Sequence, residues 1–156
     1  MKKGFTLIEL LIVIVVVGVL VTIALPKYQA SLERGRSMEA ISNLKAASDL
    51  INTHYVMNDN NYVRTDLVNS NGYFLTDGFI KGKFFSNPVW AVPEAGSTTQ
   101  QISVTRVGGD YVLTAINQNG ELRFITCTGS EASDRCPEIG MELDPIDETY
   151  KMDLRN

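Results

Sequence analysis

The organisation of this chain is decided by its N-terminal stretch, MKKGFTLIELLIVIVVVGVLVTIALPKYQ (residues 1–29). An almost continuous aliphatic run extends through it from Phe5 to Leu25. Only four residues interrupt this run: Thr6, Glu9, Gly18 and Thr22. About 20 such residues in a helix cross the hydrocarbon core of a bilayer. The run therefore predicts a single membrane-spanning helix over residues 5–25.

The charges beside the run predict its orientation. Lys2 and Lys3 precede it closely, and no comparable basic cluster follows it directly. Basic residues favour the cytoplasmic side, so we expect a cytoplasmic N-terminus and an external position for residues 27–156. A cleaved secretory signal peptide fits less well, because its small-residue cleavage site follows the apolar run, where this chain has bulky Leu25 next to Pro26.

Glu9 is the charged residue inside the run. A carboxylate within a spanning helix is costly, and intramembrane acids usually mark function. Because Glu9 lies near the end of the run, a side chain that reaches the headgroup region is the alternative. A plain signal anchor does not explain Glu9, and a buried core helix does not explain so long a run without a polar face.

The string GFTLIE, residues 4–9, resembles the type III signal of type IV prepilins and of type II secretion pseudopilins. The resemblance covers residues 1–28 and includes a short basic leader and an aliphatic tract. The matching residues are Gly4, Phe5, Thr6, Leu7, Glu9, Gly18, Pro26 and Tyr28. It implies a leader peptide at residues 1–4, cleavage between Gly4 and Phe5 by a membrane prepilin peptidase, and methylation of the new Phe5 amine. It also implies inner-membrane assembly machinery as a partner.

Cleavage would leave Phe5 with a cationic amine at the end of an apolar helix. In a filament of staggered helices, Glu9 of one subunit can pair with the Phe5 amine of the next. Two charges that are costly alone become tolerable as a pair, and any other stagger leaves both unpaired. We therefore expect this pair to set the register of assembly. The expected partners are identical or related pilin subunits, with membrane lipid around the helix before assembly.

A second helical pattern follows the apolar run. Apolar or small residues recur at spacings of three and four, as on one helix face. They are Ala40, Leu44, Ala47, Ile51 and Tyr55. Five charged residues fall largely off this face: Glu33, Arg34, Arg36, Glu39 and Lys45. We expect one long helix from residue 5 to about residue 55, with an amphipathic half over residues 26–57.

Two residues weaken this helix. Pro26 removes a backbone donor and clashes with the preceding turn, so we expect a kink there. Gly18 costs about 1 kcal/mol relative to alanine in a helix interior. The segment between them is therefore a candidate for losing helicity when subunits pack into a filament. The alternative is that a membrane helix tolerates both residues without change.

Strand patterns dominate the C-terminal part. Dipeptides at residues 108–109 (Gly-Gly) and 119–120 (Asn-Gly) separate runs of strand-forming residues and predict two-residue hairpins. They indicate a three-stranded antiparallel meander, with a fourth short strand near residues 140–143 or at the C-terminus. The expected fold is α+β, a long N-terminal helix packed on an antiparallel sheet of three to four strands within residues 101–156.

A connecting region, residues 58–100, separates helix and sheet and is punctuated by glycine and proline. Six of its aromatic residues are expected to pack it onto the helix and the sheet: Tyr73, Phe74, Phe79, Phe84, Phe85 and Trp90. By resemblance, it corresponds to the variable loop between helix and sheet in pilins.

Cys127 and Cys136 are the two cysteines of the chain. In an exported domain we expect them to form a disulfide, whereas inside the cell they would stay free thiols. A structural zinc site is not expected, because the chain has one histidine and no second cysteine pair. The resemblance adds that the disulfide-bounded C-terminal region of pilins often lies on the filament surface.

Charge and motifs argue against nucleic-acid binding and catalysis. The formal net charge is −4, and loss of residues 1–4 with two lysines leaves 12 basic and 18 acidic side chains, a net of −6. The sequence has no nucleophile elbow, P-loop, dinucleotide fingerprint or HExxH pattern. His54 falls on the stem helix, and the acidic C-terminal stretch lacks the spacing of a calcium loop. We therefore do not expect the chain to be an enzyme, to hold a cofactor or a metal, or to bind nucleic acid directly.

The leading interpretation is therefore structural. By resemblance, the chain is a subunit of a type IV pilus serving adhesion, motility or DNA uptake, held in the inner membrane before assembly and extracellular afterwards. The alternative within the resemblance is a pseudopilin of a type II secretion system. A monomeric binding module on a signal anchor is a third class, and it predicts that Phe5 never becomes an N-terminus.

Overall fold

The computed structural model of the chain describes residues 4–62, 67–75, 79, 82–91, 97–109 and 111–154. Two helices and six strands follow one another within these residues. They are α1 (Leu7–Met57), β1 (Val89–Trp90), β2 (Thr99–Thr105), β3 (Tyr111–Gln118), β4 (Glu121–Gly129), α2 (Ala132–Glu138), β5 (Glu142–Leu143) and β6 (Tyr150–Asp153). A long N-terminal helix on an antiparallel sheet confirms the predicted α+β class.

Helix α1 has 51 residues and begins and ends within two residues of the predicted limits. At about 1.5 Å per residue it is about 76 Å long. Its last turn is closed by Asn58, whose backbone N–H donates to the carbonyl oxygens of His54 and Tyr55 (3.1 and 3.3 Å). Gly18 and Pro26 both lie inside the helix. The kink or loss of helicity at these two residues stays a prediction.

The two halves of α1 differ in burial. Every residue from Leu7 to Gln29 is exposed, whereas one face is buried from Glu33 onward. The most apolar 18-residue window has a mean hydropathy of 3.1 and none of it is buried. By length and composition, α1 is the one helix in the described part of the chain that could cross a membrane.

The six strands form one antiparallel sheet in the order β1-β2-β3-β4-β6-β5. The β2–β3–β4 meander confirms the predicted three strands. The expected total of three to four was too low, because β5 and β6 are both strands and β1 pairs with β2 from within the connecting region. Strands β1 and β5 have two residues each, so they carry no alternating pattern and form only where a neighbouring strand offers its edge.

The two hairpins differ from each other. The Asn119-Gly120 turn links Gln118 to Glu121 with positive φ at both residues (53° and 79°), which confirms the predicted two-residue turn. The prediction of a two-residue turn at 108–109 is wrong, because β2 ends at Thr105. The backbone after Thr105 forms a hydrogen bond with the connecting region instead: the N–H of Val107 donates to the Phe84 carbonyl oxygen (2.8 Å).

The core lies between the second half of α1 and the middle of the sheet. The four small or aliphatic residues predicted on the packed face of α1 are all buried: Ala40, Leu44, Ala47 and Ile51. Tyr55, also predicted on this face, is half-buried against the same core. These residues meet the inward residues of the meander: Ile102, Val104, Leu113, Ala115 and Ile125. Of the six aromatic residues that were expected to pack the connecting region, Phe85 and Trp90 are buried and Tyr73 is exposed. The other three, Phe74, Phe79 and Phe84, are half-buried against the core.

Cys127 and Cys136 form a disulfide, as predicted for an exported domain. It joins the end of β4 to α2, and both cysteines are buried. Helix α2 was not predicted. It has seven residues, carries Pro137 inside and has no side-chain cap, so it depends on the disulfide and on packing more than on local sequence.

Candidate functional site

The N-terminus of α1 is fixed by a reciprocal cap between Thr6 and Glu9. The backbone N–H and the hydroxyl of Thr6 both donate to Glu9 Oε2 (2.9 and 2.6 Å), and the Glu9 N–H donates to Thr6 Oγ1 (3.4 Å). This capping box satisfies donors that a helix otherwise leaves open. Within a single chain, Glu9 therefore closes its own helix.

The peptide bond between Gly4 and Phe5 lies just before this cap. Thr6 is extended (φ −86°, ψ 149°), and the side chain of Phe5 is 82% exposed. Apart from its chain neighbours, no described residue has an atom within 4 Å of the position that a side chain on Gly4 would take. The predicted cleavage and methylation site therefore lies in an accessible, non-helical segment. Residues 1–3 lie outside the described residues.

The apolar half of α1 contacts no other element of the described chain. Beyond Leu7, which is 89% exposed, its large aliphatic residues are about half to two-thirds exposed, for example Leu11, Val16 and Leu20. No charged side chain occurs between Glu9 and Lys27. A contiguous apolar surface of this size marks a membrane or protein contact.

A buried ion-pair network lies where α1 enters the globular domain. Glu33, which the sequence pattern placed off the packed face, is only 7% exposed, so that prediction is wrong. Its Oε1 accepts from Arg106 Nε (2.6 Å) and from the Tyr111 hydroxyl (2.7 Å). Its Oε2 accepts from Arg106 Nη2 (3.1 Å) and from Arg36 Nη1 (3.2 Å). Four donors explain why a carboxylate is tolerated there.

The network fixes the charge of Glu33. Burial raises the pKa of this carboxyl, but the hydrogen bonds from Arg106 and Tyr111 and the charge of Arg106 outweigh burial and lower the pKa to about 2. Burial and the adjacent Glu33 raise the pKa of Tyr111. Arg106 also donates to the Phe84 carbonyl oxygen (3.0 Å) and lies near the rings of Phe84 and Phe85. The β2–β3 turn is thereby held against α1.

A signal for Glu33 was present in the sequence. Glu33 lies seven residues before Ala40, so it extends the packed face by two turns, and Ser37 between them is also buried. Arg106 and Tyr111 flank the predicted Gly108-Gly109 turn. Nothing local indicates that they meet Glu33, because Arg106 is 73 residues away from it.

The acidic C-terminal stretch contains a lysine, Lys151, that pairs with two of its aspartates. Lys151 Nζ donates to Asp144 Oδ2 (2.9 Å) and to Asp147 Oδ2. Hydrogen bonds from Lys151 and Thr149 lower the pKa of Asp147 to about 2. The described residues contain no group of three or more His, Cys, Asp or Glu side chains that could hold a metal. His54 lies in the last turn of α1, where its Nδ1 is 2.9 Å from Asn58 Nδ2.

Comparison with known proteins bears on these surfaces. The profile of the family described as "Prokaryotic N-terminal methylation motif" matches residues 1–25. A fimbrial protein of Neisseria meningitidis serogroup B is 33% identical over 129 residues, which cover 80% of this chain and 72% of the relative. The chain belongs to the type IV pilin family. No solved structure matches the chain.

Two other relatives match shorter stretches. A type IV major pilin protein of Neisseria gonorrhoeae is 38% identical over 84 residues, and the match covers 54% of this pilin and 49% of the relative. The fimbrial protein EcpC of Eikenella corrodens is 43% identical over 54 residues, or 35% of each chain. This pilin is therefore a pilus subunit that assembles with other pilin subunits, and the pseudopilin alternative is not favoured.

Proposed function

We propose that this pilin is a structural, non-catalytic building block of a retractable pilus that serves adhesion, motility or DNA uptake. The observation that carries the proposal is the apolar half of α1, which projects from the domain without a partner in the described chain. In the bilayer, lipid covers this surface. After extraction, other apolar helices must cover it, so subunits assemble into a fibre in which these helices bury one another.

The proposed maturation begins at the N-terminus. A prepilin peptidase at the inner membrane removes residues 1–4 and methylates the amine of Phe5, before the assembly machinery takes up the subunit. Residues 5–25 then form the filament core, and residues 26–57 carry the domain. The exposed, extended segment around Gly4 supports access by a peptidase.

Glu9 has two proposed states. In the inserted subunit it closes the capping box with Thr6. In the filament it also accepts a hydrogen bond from the cationic Phe5 amine of a neighbour, because Glu9 Oε1 is not used by the cap and can take a donor. The pair sets the axial register. Helix loosening between Gly18 and Pro26 then allows closer packing of neighbouring helices.

A Glu9→Gln variant tests the pairing. Glutamine keeps an oxygen that can complete the capping box, but it carries no charge for the Phe5 amine. We expect insertion and leader cleavage to stay normal while the yield of sheared pili falls strongly. Normal piliation of the Glu9→Gln strain would overturn the pairing, and a Thr6→Ala strain reports on the cap separately.

Deletion of the gene tests the proposed role. We expect surface pili to disappear together with twitching movement, attachment or uptake of labelled DNA, while protein secretion continues. Loss of secretion with surface pili intact would instead support a pseudopilin. Pili that persist with all three activities unchanged would contradict the proposed role of this subunit.

A further inference from the structure

A groove lies beside α1, where its exposed half meets the globular domain. Its volume is about 530 Å³. Three half-exposed or exposed apolar side chains of α1 form one wall: Leu25, Tyr28 and Leu32. Three arginines also line the groove: Arg36 lies one turn beyond Leu32 on α1, and Arg106 and Arg135 come from the β2–β3 turn and from α2. The groove therefore combines an apolar wall with a rim of three guanidinium groups, each of which already pairs with at least one carboxylate.

The rim keeps donors for a further acid. Among the described residues, Glu33 is the one carboxylate that lines the groove, and it pairs with Arg36 and Arg106. Arg135 pairs with Glu131 and Glu138 at 3.4 and 3.2 Å through two of its nitrogens, and its side chain is 41% exposed. A guanidinium has five N–H donors, so Arg135 and Arg36 can each bind another carboxylate.

A second surface has the complementary character. The turn between β5 and β6, here called the Ile146 turn (residues 144–149), presents Ile146 with 91% of its surface exposed. From Glu142 to Lys151 the chain has four carboxylates and one ammonium, so the surroundings of Ile146 are acidic. An exposed apolar residue within an acidic turn matches an apolar wall whose rim of guanidinium groups has N–H donors for further carboxylates.

The Ile146 turn is built as a rigid projection. The Ile146 N–H donates to Asp144 Oδ1 (2.9 Å), and the Thr149 N–H donates to Asp147 Oδ1 (3.2 Å). The Asp144 N–H donates to the Thr149 carbonyl oxygen (2.8 Å), and Lys151 bridges both aspartates. A side chain on a preorganised turn loses little conformational entropy on binding.

Groove and turn lie at the same end of the domain. Tyr111 binds Glu33 and pairs with Gly129 at the end of β4, and the nearby Cys127 pairs with Tyr150, where β6 begins. The turn projects from the sheet edge, whereas the groove lies beside α1. The groove extends along α1 from Leu25 to Arg36, about 16 Å, so a neighbour offset by the Glu9–Phe5 stagger, about 6 Å, still brings its turn to the height of the groove.

We infer that the Ile146 turn of one subunit occupies the groove of a neighbouring copy in the pilus. Ile146 contacts the wall formed by Leu25, Tyr28 and Leu32, and the acids of the turn meet Arg36 and Arg135. An anchor and a pocket on different faces of one molecule make a heterologous contact, which propagates into an open helix when successive copies are offset along the axis and do not close a ring. The inference rests on filament assembly by this pilin, which the family membership provides.

Cysteine cross-linking in assembled pili tests the contact. We expect pili of an Ile146→Cys, Leu32→Cys double variant to give, after mild oxidation, a ladder of disulfide-linked multimers on a non-reducing gel. A ladder is expected because each subunit would donate one cysteine to each of two neighbours. Ile146→Cys alone, and Ile146→Cys with Val56→Cys at the distal end of α1, should stay monomeric. Val56 is a matched control because it is 69% exposed.

A second variant keeps the test decisive if the double variant forms no pili. Ile146→Ser should lower the temperature at which pili dissociate, whereas Leu75→Ser, at a residue 62% exposed in the connecting region, should not. Neither change should alter unfolding of the detergent-solubilised subunit. Intact pili without a ladder, or equal dissociation temperatures for both serine variants, would overturn the contact and leave the role in the pilus untouched.

Discussion

The two halves of α1 share one continuous helix but differ in what stabilises them. The first half, as far as Gln29, is exposed throughout, while the second half buries one face against the sheet. Helices are stabilised mainly by burial of an apolar face. The second half is therefore stabilised by its own domain, whereas the first half depends on lipid or on other copies. Changes in the second half should affect folding, and changes in the first half should affect assembly.

The largest expected effect is at the junction of the two halves. Glu33→Ala removes the shared acceptor of Arg106 and Tyr111 and leaves a buried cation without its counter-ion. We expect the free energy of unfolding of the solubilised subunit to fall by about 3–5 kcal/mol. Glu121→Ala, which removes a carboxylate whose side chain is 73% exposed, should cost at most about 1 kcal/mol. Equal losses in chemical denaturation would contradict the role given to Glu33.

A matched pair of leucines separates the halves directly. Leu44 is fully buried in the second half, and Leu20 is 61% exposed in the first. Leu44→Ala should lower the free energy of unfolding by about 2–4 kcal/mol through the lost contacts and the cavity. Leu20→Ala should leave domain unfolding unchanged. The comparison fails if Leu20→Ala destabilises the domain in detergent, as followed by near-UV circular dichroism.

Removal of the disulfide should have a somewhat smaller effect. Cys127 and Cys136 are separated by nine positions, and closing so short a loop contributes about 2–3 kcal/mol in the chain-entropy model. We expect a Cys127→Ser, Cys136→Ser subunit to lose that amount and to lose order first in α2. Hydrogen exchange would detect this, and unchanged protection of residues 132–138 would contradict it.

Acid should weaken the junction over a defined range. The pKa of Glu33 is lowered from its usual 4.5 to about 2 in the folded chain. Its contribution to stability is therefore complete above about pH 4.5 and is lost as the pH falls from there towards 2. A Glu33→Gln subunit should show a shallower loss of stability over this range. Parallel pH profiles of the two chains would show that Glu33 does not titrate as described.

Features that depend on residues close together in the sequence could be predicted, whereas contacts between residues far apart in the sequence could not. The apolar run, the packed face of α1 and the Asn119-Gly120 turn are local patterns, and the structure agrees with them. Glu33 was misplaced because its partner Arg106 is 73 residues away, and local spacing cannot indicate such a contact. Strand β1 was missed because Val89 and Trp90 form a strand only through pairing with β2.

In the candidate site, too, only the features that depend on local sequence could be predicted. Gly4, Phe5 and Glu9 were identified from a short N-terminal motif, whereas the groove and the Ile146 turn come from three-dimensional arrangement alone. The capping box adds a role for Glu9 that the motif did not indicate, although the Thr-x-x-Glu spacing from Thr6 to Glu9 is its usual signature.

The central claim is that the exposed half of α1 becomes the core of the filament. A spin label on a Val16→Cys subunit tests it most directly, because Val16 lies in the middle of this half and is 51% exposed in the single chain. In the electron paramagnetic resonance spectrum of purified pili, we expect the lines to be strongly broadened by dipolar coupling between neighbouring labels. The broadening should disappear when labelled subunits are diluted with unlabelled ones, and it should be absent from subunits in dilute detergent micelles. Intact pili whose labels show no broadening would contradict the account, because the apolar halves would then lie far apart.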